Sequence, residues 1–253
     1  MTYKIADLKV NIPDIGNLKA RAKAYEVTCP DEITCSDEVT CLDKVTCPDK
    51  NKDLDKYDIY LDEEKILNQI AENNILKRNS DIYMLSGDMF YRQLLKYDGM
   101  MLHASAVKFD GKAYLFSGPC GIGKTTHTRL WKKNFPGAEV INDDKPALRL
   151  IDGMWIAYGT PWCGKDSINK NDSAPIAGIC FLKKGDKNEI RKLEPIESIP
   201  LFIGQTVRSL GPKGMNKMLE LLDDILRKVP VYELTSIADK DAAMLSKEVM
   251  MGK

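Results

Sequence analysis

Three things are scarce in this sequence, and each scarcity excludes a class of protein. Charge imbalance is absent: 37 basic residues face 37 acidic ones, so neither a basic tail nor a basic face-wide excess points to nucleic acid. Long apolar runs are absent too. No stretch approaches the roughly 18 residues that a membrane helix needs, and the opening MTYKIADLKV has no signal-peptide core. A cytoplasmic protein without a membrane partner is the expectation. Paired cysteines are also missing as a pattern, because seven cysteines are an odd number and one of them, Cys120, sits inside a glycine-rich loop, unlike a secreted disulfide framework. What is present is enough chain, 253 residues, to bury a sizeable core in one domain or one and a half.

The centre of the sequence is Gly118-Pro119-Cys120-Gly121-Ile122-Gly123-Lys124-Thr125. A Gly, four free positions and Gly-Lys-Thr form a phosphate-binding pattern, in which glycines let several backbone N–H groups turn toward one anion at the positive end of the next helix. In that pattern Lys124 reaches the β- and γ-phosphates and Thr125 sets its hydroxyl on a magnesium ion. The flanks have the required order: Ala113 to Phe116 is aromatic and strand-like, and Thr125 to Phe135 contains no Gly or Pro and reads as a helix. The nucleotide-binding set is therefore Gly118, Gly121, Ile122, Gly123, Lys124, Thr125 and Thr126, with ATP and Mg2+ as the expected ligands.

Upstream, Leu8, Val10 and Ile12 alternate with polar residues as in a short strand, and Leu18 to Ala24 reads as a turn or two of helix. Val27 to Lys50 is four six-residue units, VTCPDE, ITCSDE, VTCLDK and VTCPDK. Their Cys29, Cys35, Cys41 and Cys47 offer four thiolates, but zinc sites usually use close Cys pairs, and this even beat makes none. A repeat-expanded polar surface loop is the plainer reading. Tyr57 to Leu61 reads as a strand, Asp62 to Leu76 as a helix and Ile82 to Leu85 as a strand. A helix capped by Asp88 then runs to Tyr97 and stops at Gly99. Residues 1–98 thus form a small α+β portion, a platform against a core over 99–253.

Beyond the loop, Ala138 to Ile141, Ala147 to Ile151, Met154 to Tyr158, Ile176 to Lys183 and Asn188 to Leu193 read as strands, with Asp152-Gly153 as a hairpin turn. Lys213 to Val229 is a helix with Met215, Met218, Leu219, Leu222, Ile225, Leu226 and Val229 on its core face. Pro230 to Leu234 is a strand, and Asp239 caps a closing helix to Met250. The order predicts an α/β fold with a mixed sheet.

Three groups flank the loop. His103 lies in the strand-like Leu102 to Val107. Asn142-Asp143-Asp144 follows the apolar Val140-Ile141, one helix and one strand after Lys124. Carboxylates at such a strand tip suit a magnesium ion and a base that takes the proton of an attacking hydroxyl; an Asp-Asp pair also suits a plain turn. Tyr158 to Lys165 is a rigid loop whose Lys165 could reach a phosphate or an acidic substrate group, though the same letters spell an ordinary turn with a Trp lid. His127 reads as facing solvent or the sheet, and neither Cys120 nor Cys163 has a base near it in sequence.

Leu102-His103-Ala104-Ser105-Ala106, then GPCGIGKTT, then Ile141-Asn142-Asp143-Asp144 resembles the catalytic domain of HPr kinase/phosphorylase, a family related in fold to the ATP-dependent phosphoenolpyruvate carboxykinases. The resemblance implies a P-loop nucleotide-binding core of HPr kinase/carboxykinase type with a mixed sheet. It implies that Lys124 grips the phosphates, Thr125 and Asp144 attend the metal, Asp143 is the acid/base, and His103 lies close to metal and phosphates. Lys165 corresponds loosely to a carboxykinase lysine. The implied activity is ATP- and Mg-dependent transfer to a serine-type hydroxyl of a protein or peptide, possible as a homo-oligomer since relatives form hexamers. The Arg-Gly-rich signature of HPr kinases is not visible downstream, which leaves the acceptor open. A nucleotide-binding regulator or assembly factor with weak ATPase activity, and a small-molecule kinase, stand as the alternatives.

Overall fold

The computed structural model describes residues 2–27, 56–72, 79–207 and 210–252. The repeat with Cys29, Cys35, Cys41 and Cys47, and the end of the helix expected to Leu76, lie outside the described residues. In chain order the elements are β1 (Thr2–Ile5), β2 (Leu8–Asn11), α1 (Leu18–Ala22), β3 (Glu26–Val27), β4 (Ile59–Tyr60), α2 (Glu63–Glu72) and α3 (Asn79–Leu94). Then come β5 (Gly99–Met101), β6 (Ala104–Phe109), β7 (Lys112–Ser117), α4 (Lys124–Asn134), β8 (Glu139–Asn142), β9 (Ala147–Ile151) and β10 (Met154–Tyr158). The chain continues through β11 (Ser173–Lys184), β12 (Glu189–Lys192), α5 (Pro195–Gly204), α6 (Pro212–Lys228), β13 (Val231–Ser236) and α7 (Lys240–Met250).

The fold is mixed α/β. A small sheet runs β3-β1-β2-β4, and a large mixed sheet runs β5-β9-β10-β11-β7-β6-β8 with β13 and β12 joined through β11. Strand β11 is long enough to pair antiparallel with β10 over its first residues and parallel with β13 over its last, while β7 lies parallel on its other side. Alternation sorts the side chains. Ala113, Leu115, Ile179 and Phe181 face a cluster with Phe202 of α5 and Leu222 and Ile225 of α6, whereas Tyr114, Phe116, Cys180 and Leu182 face Trp131 of α4 and Ala243 of α7. Each such fully buried large apolar side chain contributes about 1.5–3 kcal/mol. A third cluster joins the small sheet, Ile66 of α2 and Phe90 of α3 to Ala147, Tyr158 and Trp162.

Direction of pairing explains where function can gather. Both β7 and β8 pair antiparallel with β6. Their carboxyl ends therefore share one sheet edge with the start of β6. The glycine-rich loop leaves β7 there, Asp143 leaves β8 there, and His103 enters β6 there.

Several expectations fail for identifiable reasons. Ile82 to Leu85 is not a strand and Asp88 caps nothing, because α3 is continuous through both. Its buried residues Ile82, Ser86, Phe90 and Leu94 keep a helical period across the apparent break at Ser86-Gly87-Asp88. Gly87 is a contact glycine: a Cβ there would lie 2.9 Å from Cδ1 of Trp162. The segment ends at a left-handed Asp98, φ 51°, and Gly99 opens β5 instead of closing the helix. His103 immediately precedes β6 rather than lying within a strand. Leu219 is 42% exposed and Leu221 is buried in its stead. Helix α5 has no counterpart among the expected elements, although Glu194 and Glu197 form a reciprocal capping box around Pro195 at its start. The Asp152-Gly153 turn has φ 48° and 81°, as a two-residue hairpin of this hand requires. Asp239 caps α7 through Ala242 N–H as expected. Among the described residues no helix is long and apolar enough to cross a membrane.

Of the two readings for His127, solvent or the sheet, the sheet is the one that holds. The imidazole is buried against the Phe116 ring, 4.4 Å between centroids, with Nε2 2.9 Å from Ser246 Oγ. Ser246 already donates to the Ala243 carbonyl and accepts from Trp131 Nε1, so the ring donates through Nε2 and leaves Nδ1 buried without a partner. Burial lowers its pKa to about 4 from 6.5. The unfolded chain thus takes up this proton first. The contribution of His127 is complete above pH 6.5 and is lost as pH falls toward 4, by about 3 kcal/mol. Urea unfolding of wild type and His127→Gln at pH 7, 5.5 and 4 checks this, and the variant's stability should fall less steeply across that window.

Candidate functional site

The turn after β8 is built on the side chain of Asn142. It is fully buried. Its Oδ1 accepts from the N–H groups of Asp144 (2.9 Å) and Lys145 (2.7 Å), the self-turn that asparagine favours. Its Nδ2 donates to Thr160 O (3.1 Å) and lies within reach of Thr160 Oγ1 (3.3 Å) and Trp162 O (3.4 Å). One amide thereby fastens the aspartate turn to the Tyr158–Lys165 loop. That loop presses close: a Cβ at Gly159 would fall 1.9 Å from Lys170 O and 2.7 Å from Ile141 O, so only glycine fits.

The two aspartates land in different surroundings. Asp143 is buried, 4% exposed, with Oδ1 accepting from Gly164 N–H at 2.5 Å. Burial raises its pKa above the usual carboxylate value, the Gly164 hydrogen bond opposes this, and the neighbouring Asp144 charge adds to the rise. Asp144 is partly exposed. Burial works upward on it as well, but His103 and Lys145 outweigh that and hold it at about 2. His103 Nε2 lies 2.9 Å from Asp144 Oδ1, and Lys145 Nζ meets Oδ2. The rest of the His103 ring is also occupied, with Nδ1 3.1 Å from Gln205 Oε1, and its backbone N–H donates to Gln205 O at 2.7 Å.

The glycine-rich loop joins the same edge. Gly118, Gly121 and Gly123 have φ of 141°, 78° and 112°, values that glycine alone adopts freely. No side chain caps α4 at Gly123, which leaves its first-turn N–H groups without a side-chain acceptor. Ile122 turns its side chain inward under Gly118, while Thr126 is exposed and Thr125 half-buried. Lys124 Nζ donates to Gly118 O (2.8 Å) and Pro119 O (3.2 Å). Burial lowers the pKa of Lys124, and the nearby Asp144 carboxylate works against that. Asp144 thus stands within electrostatic reach of the loop's lysine.

The donors suit a magnesium ion in part. Thr125's hydroxyl and an ionised Asp144 are hard oxygen ligands of the kind magnesium takes. The resemblance sets His103 close to the metal as a catalytic and metal-side residue; here its Nε2 meets Asp144 Oδ1 and its Nδ1 lies against Gln205 Oε1, so it orients Asp144. Cys163 is buried, its thiol pKa raised by that burial, and its Sγ accepts from Asn169 Nδ2 (3.1 Å) and Arg21 Nη1 (3.4 Å), so it has no nucleophile's surroundings.

Residues outside the sequence motifs complete the region. Arg21 of α1 lies over the Tyr83 ring at 4.8 Å, and Tyr83 of α3 donates to Cys163 O at 2.6 Å. Tyr91 donates to Lys145 O and sits 3.1 Å from Thr160 Oγ1. No local pattern marks them, because they reach the site across more than fifty residues of sequence. A cavity of about 290 Å³ among Arg21, Tyr83, Asp144, Cys163 and Lys165 adjoins the aspartates.

Since Asn142 uses both its donors and its acceptor in the interior, Asn142→Ala should cost about 3 kcal/mol in a denaturation experiment. Asn142→Asp should not rescue it at pH 7, because a carboxylate would then face the carbonyl oxygens of Thr160 and Trp162.

No family model matches this chain, and no curated protein matches it either. Among solved structures it is similar to the HPr(Ser) kinase/phosphatase from Coxiella burnetii, at 12% identity and a TM-score of 0.35, over 60% of this chain and 99% of that one. The likeness is a distant one, and the functional reading rests on this chain's own residues.

Proposed function

We infer that this protein is a kinase that moves the terminal phosphoryl group of a nucleoside triphosphate, taken as ATP with Mg2+, to a serine-type hydroxyl of a protein or peptide. The observation that supports it is the convergence at one sheet edge of a left-handed glycine loop, Lys124 and two unlike aspartates. Bound there, the magnesium nucleotide supplies the transferable group and neutralises charge that develops on it.

The chain's own residues do the rest. The loop amides and Lys124 hold and orient the phosphates, and Thr125 with Asp144 provides oxygen ligands for the metal. Asp144 suits that task because it stays ionised. Asp143, with its raised pKa, suits the acceptor hydroxyl as a base. In the transfer, the acceptor oxygen forms a bond to the γ-phosphorus, the bridging oxygen–γ-phosphorus bond breaks with its electrons going to the nucleoside diphosphate, and the hydroxyl proton goes to Asp143. Positioning and electrostatics carry most of the rate in such chemistry.

The reading predicts separable losses. Lys124→Ala should abolish consumption of ATP. Asp143→Asn should keep nucleotide binding within a few-fold while transfer drops by about 10²-fold or more; transfer at the wild-type rate in that variant would remove Asp143 as the base. Incubation with γ-labelled ATP and cell extract reads the acceptor class. Label on a protein or peptide supports the proposal, and label only on a small metabolite, or nowhere, contradicts it.

A further inference from the structure

The cavity beside Asp144 has a chemistry of its own. No residue from Gly118 to Thr125 lines it, and its walls come from α1, the first turns of α3 and the Cys163–Lys165 segment. Asp144 is the feature it shares with the nucleotide side. At about 290 Å³ it matches the smallest ligand pockets, roughly 300 Å³, so one or two side chains of a larger molecule could enter it.

Its cations are uncommitted. Arg21 is held by the face of Tyr83 and by the neutral sulfur of Cys163, contacts that fix the guanidinium without cancelling its charge. Lys165 is exposed at the rim. Neither pairs with a carboxylate among the described residues. Among the described residues the one acid in the wall, Asp144, is already matched by His103 and Lys145. The cavity's described residues therefore carry positive charge in excess, next to Asp144 and, through Gly164, beside the Asp143 that would meet an acceptor hydroxyl.

A second cavity, about 200 Å³, adjoins across Tyr83; it is walled by Met84, Tyr91, Met101 and Val207 and also carries Asp88 and Lys145. A small metabolite has no use for two side-chain-sized chambers separated by one aromatic ring. An extended peptide does, because neighbouring side chains diverge.

We propose that the cleft between α1, α3 and the Cys163–Lys165 segment is the acceptor site, and that it selects an acidic peptide, with Arg21 and Lys165 binding a carboxylate next to the hydroxyl residue. This rests on the phosphoryl-transfer reading above and adds the acceptor's chemistry to it. In this arrangement α1 and α3 are the specificity element of the enzyme.

The test uses the full chain and three fluorescein-labelled serine peptides, each with Leu on one side of the serine and Glu, Ala or Lys on the other. Anisotropy reads binding, and γ-labelled ATP reads transfer. Wild type should bind and phosphorylate the Glu peptide at least tenfold better than the Lys peptide. Arg21→Glu and Lys165→Glu should each weaken Glu-peptide binding fivefold or more and move preference toward Lys, while a fluorescent ATP analogue binds within twofold of wild type. Lys165 is exposed, so its variant keeps the test open where Arg21→Glu fails to fold. Equal binding of all three peptides overturns the proposal, as does a matching loss of nucleotide affinity, which would assign both cations to the nucleotide's phosphates. Glu-peptide binding that the variants abolish, without transfer to any peptide, keeps the site and removes the kinase reading. Equal transfer to all three peptides does the reverse.

Discussion

A single buried amide holds the site's architecture in place. Asn142 ends β8 inside the protein, where no water can satisfy its polar atoms, and it uses one oxygen to close the turn that presents Asp143 and Asp144. Its nitrogen holds the carbonyl of Thr160 on the loop that also meets Asp143 through the Gly164 N–H. Buried amides of this kind cost a great deal when unmatched and little when fully matched. The geometry around Asn142 is accordingly tight. Gly159 admits no side chain, and a Cβ at Gly164 would sit 3.0 Å from Asp143 Oδ2.

Once that turn is fixed, electrostatics separates two chemically identical neighbours. Asp143 points into the protein and meets an N–H group, while Asp144 points toward His103, Lys145 and the cleft. Opposite pKa shifts follow from those surroundings alone. A pair of carboxylates whose proton affinities are pushed apart can divide the tasks of base and metal ligand, which two equivalent ones cannot. Lys124 belongs to the same field, being buried near Asp144 and, among the described residues, bonded to its own loop's carbonyls.

Much of the fold was legible because local chemistry and tertiary packing agree. The alternating residues of β7, the Asp152-Gly153 hairpin and the Asp239 cap behave as their side chains dictate. Reading failed where a residue serves a distant neighbour. Ser86-Gly87-Asp88 looks like a break, yet Gly87 is small because Trp162 lies against the helix there. His127 gives no local sign of being interior, since its partner Ser246 is on the last helix. Arg21, Tyr83 and Lys165 meet only because the small sheet and α3 pack onto the Tyr158–Lys165 loop.

By itself the sequence determined the short-range chemistry: a glycine loop between a strand and a helix, a lysine and threonine at its end, and an Asn-Asp-Asp turn after a buried strand. These need only backbone sterics and the reach of one side chain. Tertiary structure decided everything that depends on direction and distance. The antiparallel pairing of β6 with both β7 and β8 brought His103, Lys124 and the aspartates to one edge, and burial then made Asp143 and Asp144 unlike. It also joined α1 and α3 to the cleft beside them. Proton affinity and cavity charge depend on neighbours far away in the chain, and only folding chooses those neighbours.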